Sequence, residues 1–283
     1  MTVISLKSTQ VGEGLVLPYA EAGYPDGTPV VFVHGLADSW WSFEPLLRRL
    51  PASLHGYAFS QRGHGDADRP EDGYTPDDLA SDLVAFLDAL GIGRALLVGS
   101  STGGVQARIV AGSHPDRISG LVLAGVPATL ADKPAPAGIQ QSLAGFSDTV
   151  PREFVEDLMT GAVSGGVARG LIETMIDESL KVPARVWRRT LEGLLEADLP
   201  ATLAGILVPT LLIWGDRDAF LPRDDQQAVL DAIHGASLLV YEGAGHAVHW
   251  EQPERVVADI AEFAARIASP RPADSSRGPL SDT

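Results

Sequence analysis

The chain has 283 residues, 45% of them hydrophobic, so it can bury a sizeable core in one large domain. It contains no cysteine, which excludes disulfides, thiolate nucleophiles and cysteine-ligated metal sites. The formal net charge of −16 disfavours binding to nucleic acid or to an anionic membrane. The first ten residues lack the pattern of a signal peptide and no stretch is long enough to span a bilayer, so we expect a cytoplasmic protein.

The N-terminal elements predict a hairpin followed by a buried strand. Residues 3–8 and 15–22 favour two strands, with a glycine-rich turn at 12–14 between them. The apolar run at 30–33 is typical of a central strand that is buried on both faces. It ends in His34-Gly35-Leu36, which we expect to begin a loop at the edge of the sheet.

Strands and helices then alternate along the chain. The expected elements are strands at 56–59, 95–98 and 121–124, with helices that begin near Ser42, after Thr75 and at Ser101. Thr75 is a suitable N-cap because Pro76 follows it at the first helical position. This alternation predicts a mostly parallel sheet of about eight strands with helices on both faces, in the α/β class.

The alternation stops between residues 128 and 204. Apolar residues four apart, such as Phe154 and Leu158, predict amphipathic helices in place of strands there. Strands at 208–214 and 237–241 and helices at 222–233 and 253–267 then complete the pattern. We therefore expect a core formed by residues 1–127 and 205–268, a helical cap at 128–204 inserted near the C-terminal strand edge, and a flexible tail at 269–283.

The segment from Leu96 to Gly104 carries the strongest chemical signal. A buried strand ends in a Gly-x-Ser-x-Gly pattern centred on Ser101, and a helix follows. Such a strand–turn–helix raises the serine hydroxyl above the sheet, and the helix N-terminus supplies N–H donors beside it. A glycine-rich turn with incidental serines has the same pattern, so the motif requires supporting residues elsewhere.

A serine nucleophile needs a histidine base and a carboxylate that orients the histidine. Of seven histidines, His246 follows the last strand in a glycine-rich loop, and His249 is its rival in the same loop. Asp216 and Asp218 follow the strand at 208–214 and are both candidates for the acid.

Over about residues 14–268 the chain resembles the α/β-hydrolase family. The resemblance depends on motifs that occur in the family's order: His34-Gly35, Gln61-Arg62-Gly63-His64-Gly65, Gly99 to Gly104, Trp214 to Asp218 with Pro222, and Gly245-His246 with Glu251 and Pro253. The resemblance implies Ser101 as nucleophile, Asp218 as acid and His246 as base. It also implies an oxyanion hole formed by the Leu36 and Thr102 amides, with residues 128–204 as a lid over the site.

The resemblance favours hydrolysis of small carboxylic esters or lactones. No histidine pair has metal-ligand spacing and no Gly-x-Gly-x-x-Gly pattern follows the first strand, so we expect no metal or other cofactor. C–C bond hydrolases, cofactor-free perhydrolases and acyltransferases resemble the same pattern, and a non-catalytic small-molecule receptor is a further alternative. The expected partner is a small molecule, and the sequence leaves the oligomeric state open between monomer and homodimer. The apolar residues expected to line the substrate pocket are Trp40, Trp41, Phe146, Phe154, Leu158, Met175 and Trp187.

Overall fold

The structure, a computed structural model, describes residues 2–12, 14–131 and 133–269; the expected tail beyond Ser269 lies outside them. Its centre is an eight-stranded sheet with the strand order β1-β2-β4-β3-β5-β6-β7-β8. The strands are β1 (Ile4–Val11), β2 (Leu15–Gly23), β3 (Thr28–Val33), β4 (Leu54–Phe59), β5 (Ala95–Ser100), β6 (Ile118–Ala124), β7 (Thr210–Gly215) and β8 (Ser237–Tyr241).

Most of this sheet is parallel, as the alternation of elements predicts. Strands β3 to β8 pair with one another in parallel, while β2 is antiparallel to both β1 and β4. The predicted hairpin is therefore the antiparallel edge of the sheet. The carboxyl ends of the parallel strands lie along one edge, which brings the loops after β3, β5, β7 and β8 together.

Helices cover both faces of the sheet. They are α1 (Glu44–Leu47), α2 (Pro76–Ala89), α3 (Gly103–Ser113), α4 (Pro134–Ala144), α5 (Arg152–Gly161), α6 (Arg169–Leu180), α7 (Ala184–Glu196), α8 (Arg223–Ala232), α9 (Val248–Glu251) and α10 (Pro253–Ala268). On β3, Val31 and Val33 contact the cluster that α2, α3 and α8 cover, whereas Val30 and Phe32 contact the cluster beneath α1 and α10. None of these helices is long and apolar enough to cross a membrane, within the residues described.

The helix boundaries follow local sequence signals. Thr75 caps α2 as predicted, because its hydroxyl accepts from Asp78 N and the Asp78 carboxylate accepts from Thr75 N. The helix predicted near Ser42 is short in the structure. A 3₁₀ turn at Trp40–Phe43 leads into a single turn of α-helix, α1.

Helices α4 to α7 lie between β6 and β7, in the segment predicted to be helical. A 3₁₀ turn at Pro200–Leu203 follows them, and the described part of residues 128–204 contains no strand. These helices pack around a core centred on the fully buried Met175 and Trp187. The same core includes residues from outside the inserted segment, among them Ala37, Tyr74, Ala247 and Trp250. The inserted helices therefore pack against one another and against loops at the sheet edge, which explains their apolar spacing.

Arg108 on α3 connects both ends of the inserted segment to the core. Its side chain is fully buried and donates to Pro127 O at 2.7 Å, to Leu199 O at 2.8 Å and to Thr202 Oγ1 at 2.6 Å. Burial lowers the pKa of Arg108 to about 10, so the guanidinium remains charged at neutral pH. The same group therefore fixes the segment where it leaves the sheet and where it returns.

We expect Arg108→Met to lower the free energy of unfolding by about 3 kcal/mol, because it leaves buried carbonyl oxygens without a donor. The matched control is Arg94→Met, which removes an exposed arginine and should change stability by less than about 0.5 kcal/mol. Urea denaturation followed by circular dichroism measures both values. Equal effects of the two substitutions would contradict a stabilising role for Arg108.

Candidate active site

Ser101 lies in a tight turn between β5 and α3. Its backbone φ is +50°, a left-handed conformation that residues other than glycine seldom adopt. Ser101 N donates to Ala124 O at 2.9 Å, and Gly104 N donates to Ser101 O at 3.0 Å. Because Ser101 is outside the helical region, α3 begins at Gly103 and not at Ser101 as predicted. A strained residue held in this way is a feature of functional sites.

Glycines surround this turn because backbone segments meet there. A Cβ added to Gly103 would lie 2.2 Å from the carbonyl oxygen of His34, and one added to Gly99 would lie 2.4 Å from Gly104 Cα. No side chain fits at such distances. The Gly-x-Ser-x-Gly pattern is therefore explained by the close approach of the turn to the end of β3.

The loop after β3 packs directly against Ser101. A Cβ added to Gly35 would lie 3.2 Å from Ser101 Cβ. The buried His34 ring holds this loop, since its Nδ1–H donates to Gly35 O at 2.8 Å and its Nε2 accepts from Gln61 N at 3.0 Å. Burial keeps the pKa of His34 well below its usual value, so the ring is neutral. These contacts position the loop and do not involve Ser101.

Two backbone amides beside Ser101 have no hydrogen-bond acceptor among the described residues. They belong to Leu36, which follows Gly35, and to Thr102, which follows Ser101. Both residues line the cavity that also contains Ser101. Backbone N–H groups in a protein interior are almost always paired. Unpaired amides next to a serine are available to an oxyanion that forms there.

Asp218 and His246 meet at the ends of β7 and β8. Asp218 Oδ2 lies 2.8 Å from His246 Nδ1, and the Asp218 side chain is fully buried. Its Oδ1 accepts from the amides of Phe220 at 2.8 Å and Leu221 at 2.9 Å, which fixes the carboxylate in the turn. A carboxylate held against Nδ1 leaves Nε2 of the ring to exchange a proton with a nucleophile.

The rival residues have other contacts. Asp216 Oδ1 accepts from Gly243 N at 2.7 Å and does not contact the His246 ring. His249 is buried, and its Nε2 lies 2.9 Å from Ser42 Oγ. It forms no hydrogen bond with either aspartate. Burial lowers the pKa of His249 to about 3, so it does not accept a proton at neutral pH.

The loop that carries His246 is also tied to the inserted segment. Ala247 N donates to Ala162 O at 2.8 Å. Glu251 Oε1 accepts from Gly245 N at 2.7 Å, and its Oε2 accepts from Ser164 Oγ at 2.6 Å. The position of the histidine loop therefore depends on helices outside the sheet.

Ser101 and His246 open into a cavity of about 130 Å³ between the sheet edge and the inserted helices. Most of its surface is apolar. The lining residues are Gly35, Leu36, Asp38, Ser100, Ser101, Thr102, Pro127, Leu130, Ala135, Pro136, Ile139, Leu158, Met159, Ala162, Leu191, Phe220, Leu221, His246, Ala247, His249 and Trp250. A cavity of this kind accommodates a small, largely apolar molecule beside the serine.

Of the seven residues predicted to line the pocket, the structure places Leu158 there and the other six elsewhere. Trp40 and Trp41 stack with ring centroids 4.4 Å apart and pack beside α1. Phe146, Phe154, Met175 and Trp187 belong to the core of the inserted helices. Their spacing reflects packing between helices, which produces the same apolar pattern as a ligand pocket.

Sequence reasoning missed Asp38, which the structure places in this cavity. It is buried, and its Oδ1 accepts from Ser39 N at 2.8 Å. Burial raises the pKa of Asp38 to about 7, although hydrogen bonds from Ser42 and Ser39 act in the opposite direction. Its place in the loop directly after β3 was the available signal. Within the described residues, no three histidine, aspartate or glutamate side chains form a cluster suited to a metal ion.

Comparisons with known proteins identify the fold family. The family model described as alpha/beta hydrolase fold matches residues 28–253. The chain is 26% identical to 3-oxoadipate enol-lactonase 2 of Acinetobacter baylyi, over 90% of this chain and 95% of that protein. It is 29% identical to the non-heme chloroperoxidase of Streptomyces lividans, over 89% of this chain and 96% of that protein.

Solved structures share the fold. The esterase from Exiguobacterium antarcticum superimposes with a TM-score of 0.82 at 22% identity, covering 93% of this chain and 99% of that chain. At this level of identity the similarity concerns the fold and carries no information about the substrate.

Proposed function

Because the chain belongs to the α/β hydrolase fold family, we propose that it is a serine hydrolase of small carboxylic esters or lactones. The observation that carries the proposal is the 2.8 Å contact between Asp218 and His246, in a cavity shared with Ser101. An imidazole oriented by a buried carboxylate, with a strained serine lining the same apolar cavity as the imidazole, has the chemistry of acyl transfer.

In the first step, Ser101 Oγ attacks the substrate carbonyl carbon while His246 Nε2 takes the hydroxyl proton. Asp218 holds the ring in the tautomer with a proton on Nδ1 and stabilises the imidazolium that forms. The Leu36 and Thr102 amides donate to the developing oxyanion, a contribution of about 3 kcal/mol for each donor. The imidazolium then gives its proton to the alkoxide that leaves, and an acyl-enzyme remains.

In the second step, water attacks the acyl-enzyme. His246 takes a proton from the water, and the same amides hold the second oxyanion. Ser101 leaves with the proton from His246, and the carboxylic acid is released. For a lactone the leaving alkoxide stays attached to the acyl group, so one product results.

Perhydrolysis is the second candidate, because a relative of similar length and coverage is named a non-heme chloroperoxidase. Hydrogen peroxide would then replace water in the second step, and the acyl-enzyme would release a peroxy acid. The residues in the first step are the same in both reactions. Acyl transfer differs from hydrolysis in the acceptor that attacks the acyl-enzyme. C–C bond hydrolysis differs in the bond that is broken, because the leaving group is a carbon that must be protonated, so the substrate and the acceptor together distinguish the candidates.

A panel of substrates tests the proposal. We expect turnover of 4-nitrophenyl acetate, butyrate or octanoate, or of γ-butyrolactone, by the wild-type chain and none by Ser101→Ala. Hydrogen peroxide added to an acetate-containing assay reveals perhydrolysis as peracetic acid. No turnover of any ester or lactone, together with binding of such molecules, would favour a receptor and contradict the proposal.

We further propose that residues 128–204 act as a lid that sets acyl-chain preference. Leu158 on α5 and Ile139 on α4 support this, since both line the cavity above Ser101. A lid of this kind would decide which acyl groups fit beside the serine, whereas the catalytic groups come from the core.

Leu158→Ala is expected to raise the kcat/KM ratio of octanoate to acetate by about tenfold, because the space it leaves accommodates further methylene groups. The matched control is Leu207→Ala, an exposed leucine that should not alter the ratio. Chain-length profiles with 4-nitrophenyl esters measure both. An equal loss of activity on every ester would assign Leu158 to folding.

A further inference from the structure

The cavity beside Ser101 has an unusual charge distribution. Among its described lining residues, Asp38 is the one acidic side chain, and none is a lysine or an arginine. A substrate carboxylate that entered this cavity would lose its hydration without gaining a cationic partner. Burying an unpaired charge in this way is strongly unfavourable.

The groups around Asp38 do not neutralise its charge. Its Oδ1 accepts from Ser39 N, and Ser42 also donates to the carboxyl group. Among the described residues, no lysine or arginine forms a salt bridge with it. Once ionised, Asp38 is therefore a negative charge in the wall of the cavity, with no salt-bridge partner among the described residues.

The other titratable groups near Asp38 do not neutralise it. Glu178 on α6 adds a like charge that raises the pKa of Asp38, although Glu178 is itself paired with Lys181 at 2.7 Å. His249 on α9 is neutral because burial lowers its pKa to about 3. His246 lines the same cavity and acts on every substrate alike.

We propose that Asp38 is a specificity-determining residue that restricts this cavity to uncharged esters or lactones and excludes acyl groups carrying a carboxylate. The inference rests on the proposed hydrolase function and names the substrate class of the same site. The relative 3-oxoadipate enol-lactonase 2 is named for a dicarboxylic acid, so the two cavities would differ in charge selection. The net charge of −16 acts in the same direction by lowering the local concentration of anions.

The exclusion of anions depends on pH in a defined direction. The pKa of Asp38 is about 7, so the side chain is mostly neutral at pH 5.5 and mostly ionised at pH 8.5. Raising the pH through this range therefore adds repulsion toward an anionic substrate and leaves a neutral substrate unaffected by this charge. His246 serves as the base for both substrates in the proposed mechanism, so its contribution cancels in their ratio.

The test uses ethyl levulinate and monoethyl succinate, in which a methyl ketone and a carboxylate occupy the same position. Released ethanol gives kcat/KM for each ester at pH 5.5 and 8.5. We expect the levulinate-to-succinate ratio of the wild-type chain to rise about tenfold between the two pH values, and Asp38→Asn to remove this rise. The matched control is Asp116→Asn, which removes an exposed carboxylate just before the start of β6, at the sheet edge opposite to the cavity. This variant should retain the rise in the levulinate-to-succinate ratio.

The outcomes separate this inference from the proposed function. If neither ester is hydrolysed and the 4-nitrophenyl panel is inactive as well, the proposed function fails. If levulinate is hydrolysed but the wild-type ratio is the same at both pH values, only the inference about Asp38 fails. The wild-type comparison alone can overturn it, even if Asp38→Asn does not fold.

Unfolding experiments supply a readout that is independent of activity. A carboxyl group whose pKa is raised by folding holds its proton more tightly in the native chain, so stability decreases as pH rises from about 4 to about 7. Asp38→Asn should lose this contribution and decline less over that range than Asp116→Asn. Identical declines would show that Asp38 does not titrate as the inference requires.

Discussion

Ser101→Ala is expected to lower kcat for 4-nitrophenyl butyrate by about 10⁶-fold without unfolding the chain. The substitution removes the only atom that can form the acyl-enzyme in the proposed mechanism, while the oxyanion donors and the cavity remain. Alanine is smaller than serine and meets no new contact in the turn. Steady-state hydrolysis, with circular dichroism to verify folding, measures the effect.

Ser100→Ala is the matched control for this substitution. Ser100 is the last residue of β5, where its backbone pairs with Ala124 of β6, so its side chain cannot occupy the apex of the turn. We expect a change in kcat of less than about tenfold, since no proton transfer depends on it. A large loss at Ser100 with little loss at Ser101 would mean that the wrong serine has been assigned.

Asp218→Asn is expected to lower kcat by about 10⁴-fold with little change in structure. Asparagine retains an oxygen that can accept from the Phe220 and Leu221 amides, so the turn after β7 should persist. Its amide group would donate to His246 Nδ1 and favour the tautomer with a proton on Nε2. That tautomer cannot accept the serine proton.

Asp216→Asn is the control for the acid. Asp216 supports the β8 loop through Gly243 N and does not touch the imidazole, so we expect at most about a tenfold loss. The ratio of the kcat losses in Asp218→Asn and Asp216→Asn shows which aspartate is the acid. If Asp216→Asn were as damaging as Asp218→Asn, the acid would have to act through the loop and not through the ring.

The order of strands and helices along the chain follows from short-range signals in the sequence. The apolar runs of β3 and β5 end at the residues where loops begin, because parallel strands buried on both faces contain few polar residues. Thr75, Pro76 and Asp78 determine where α2 begins. These signals act within a few residues of the chain, and this is why they could be read without the structure.

The cavity could not be read in the same way, because its lining comes from distant segments. Leu158 and Trp187 both occur in amphipathic helices, yet one lines the cavity and the other fills the core of the inserted segment. The sequence period shows which face of a helix is apolar but not what covers it. Asp38 lacks any periodic signal, and only the packing of its loop places it beside Ser101.

The choice between Asp216 and Asp218 illustrates the same limit. Two aspartates separated by one residue are equally plausible turn residues after a strand, so the residues alone do not show which is the acid. The backbone of the turn directs Asp218 toward His246 and Asp216 toward Gly243. The resemblance to a known family indicated Asp218 as the acid, whereas the residues alone left both aspartates as candidates.

Covalent labelling with a fluorophosphonate tests the central claim most directly, because the reagent requires an activated serine. After incubation at neutral pH, intact mass gives the number of adducts and peptide mass spectrometry locates them. The account predicts one adduct on Ser101 in the wild-type chain and in Ser100→Ala, and none in Ser101→Ala. An adduct on another serine, or an unlabelled wild-type chain that still hydrolyses esters, would contradict it.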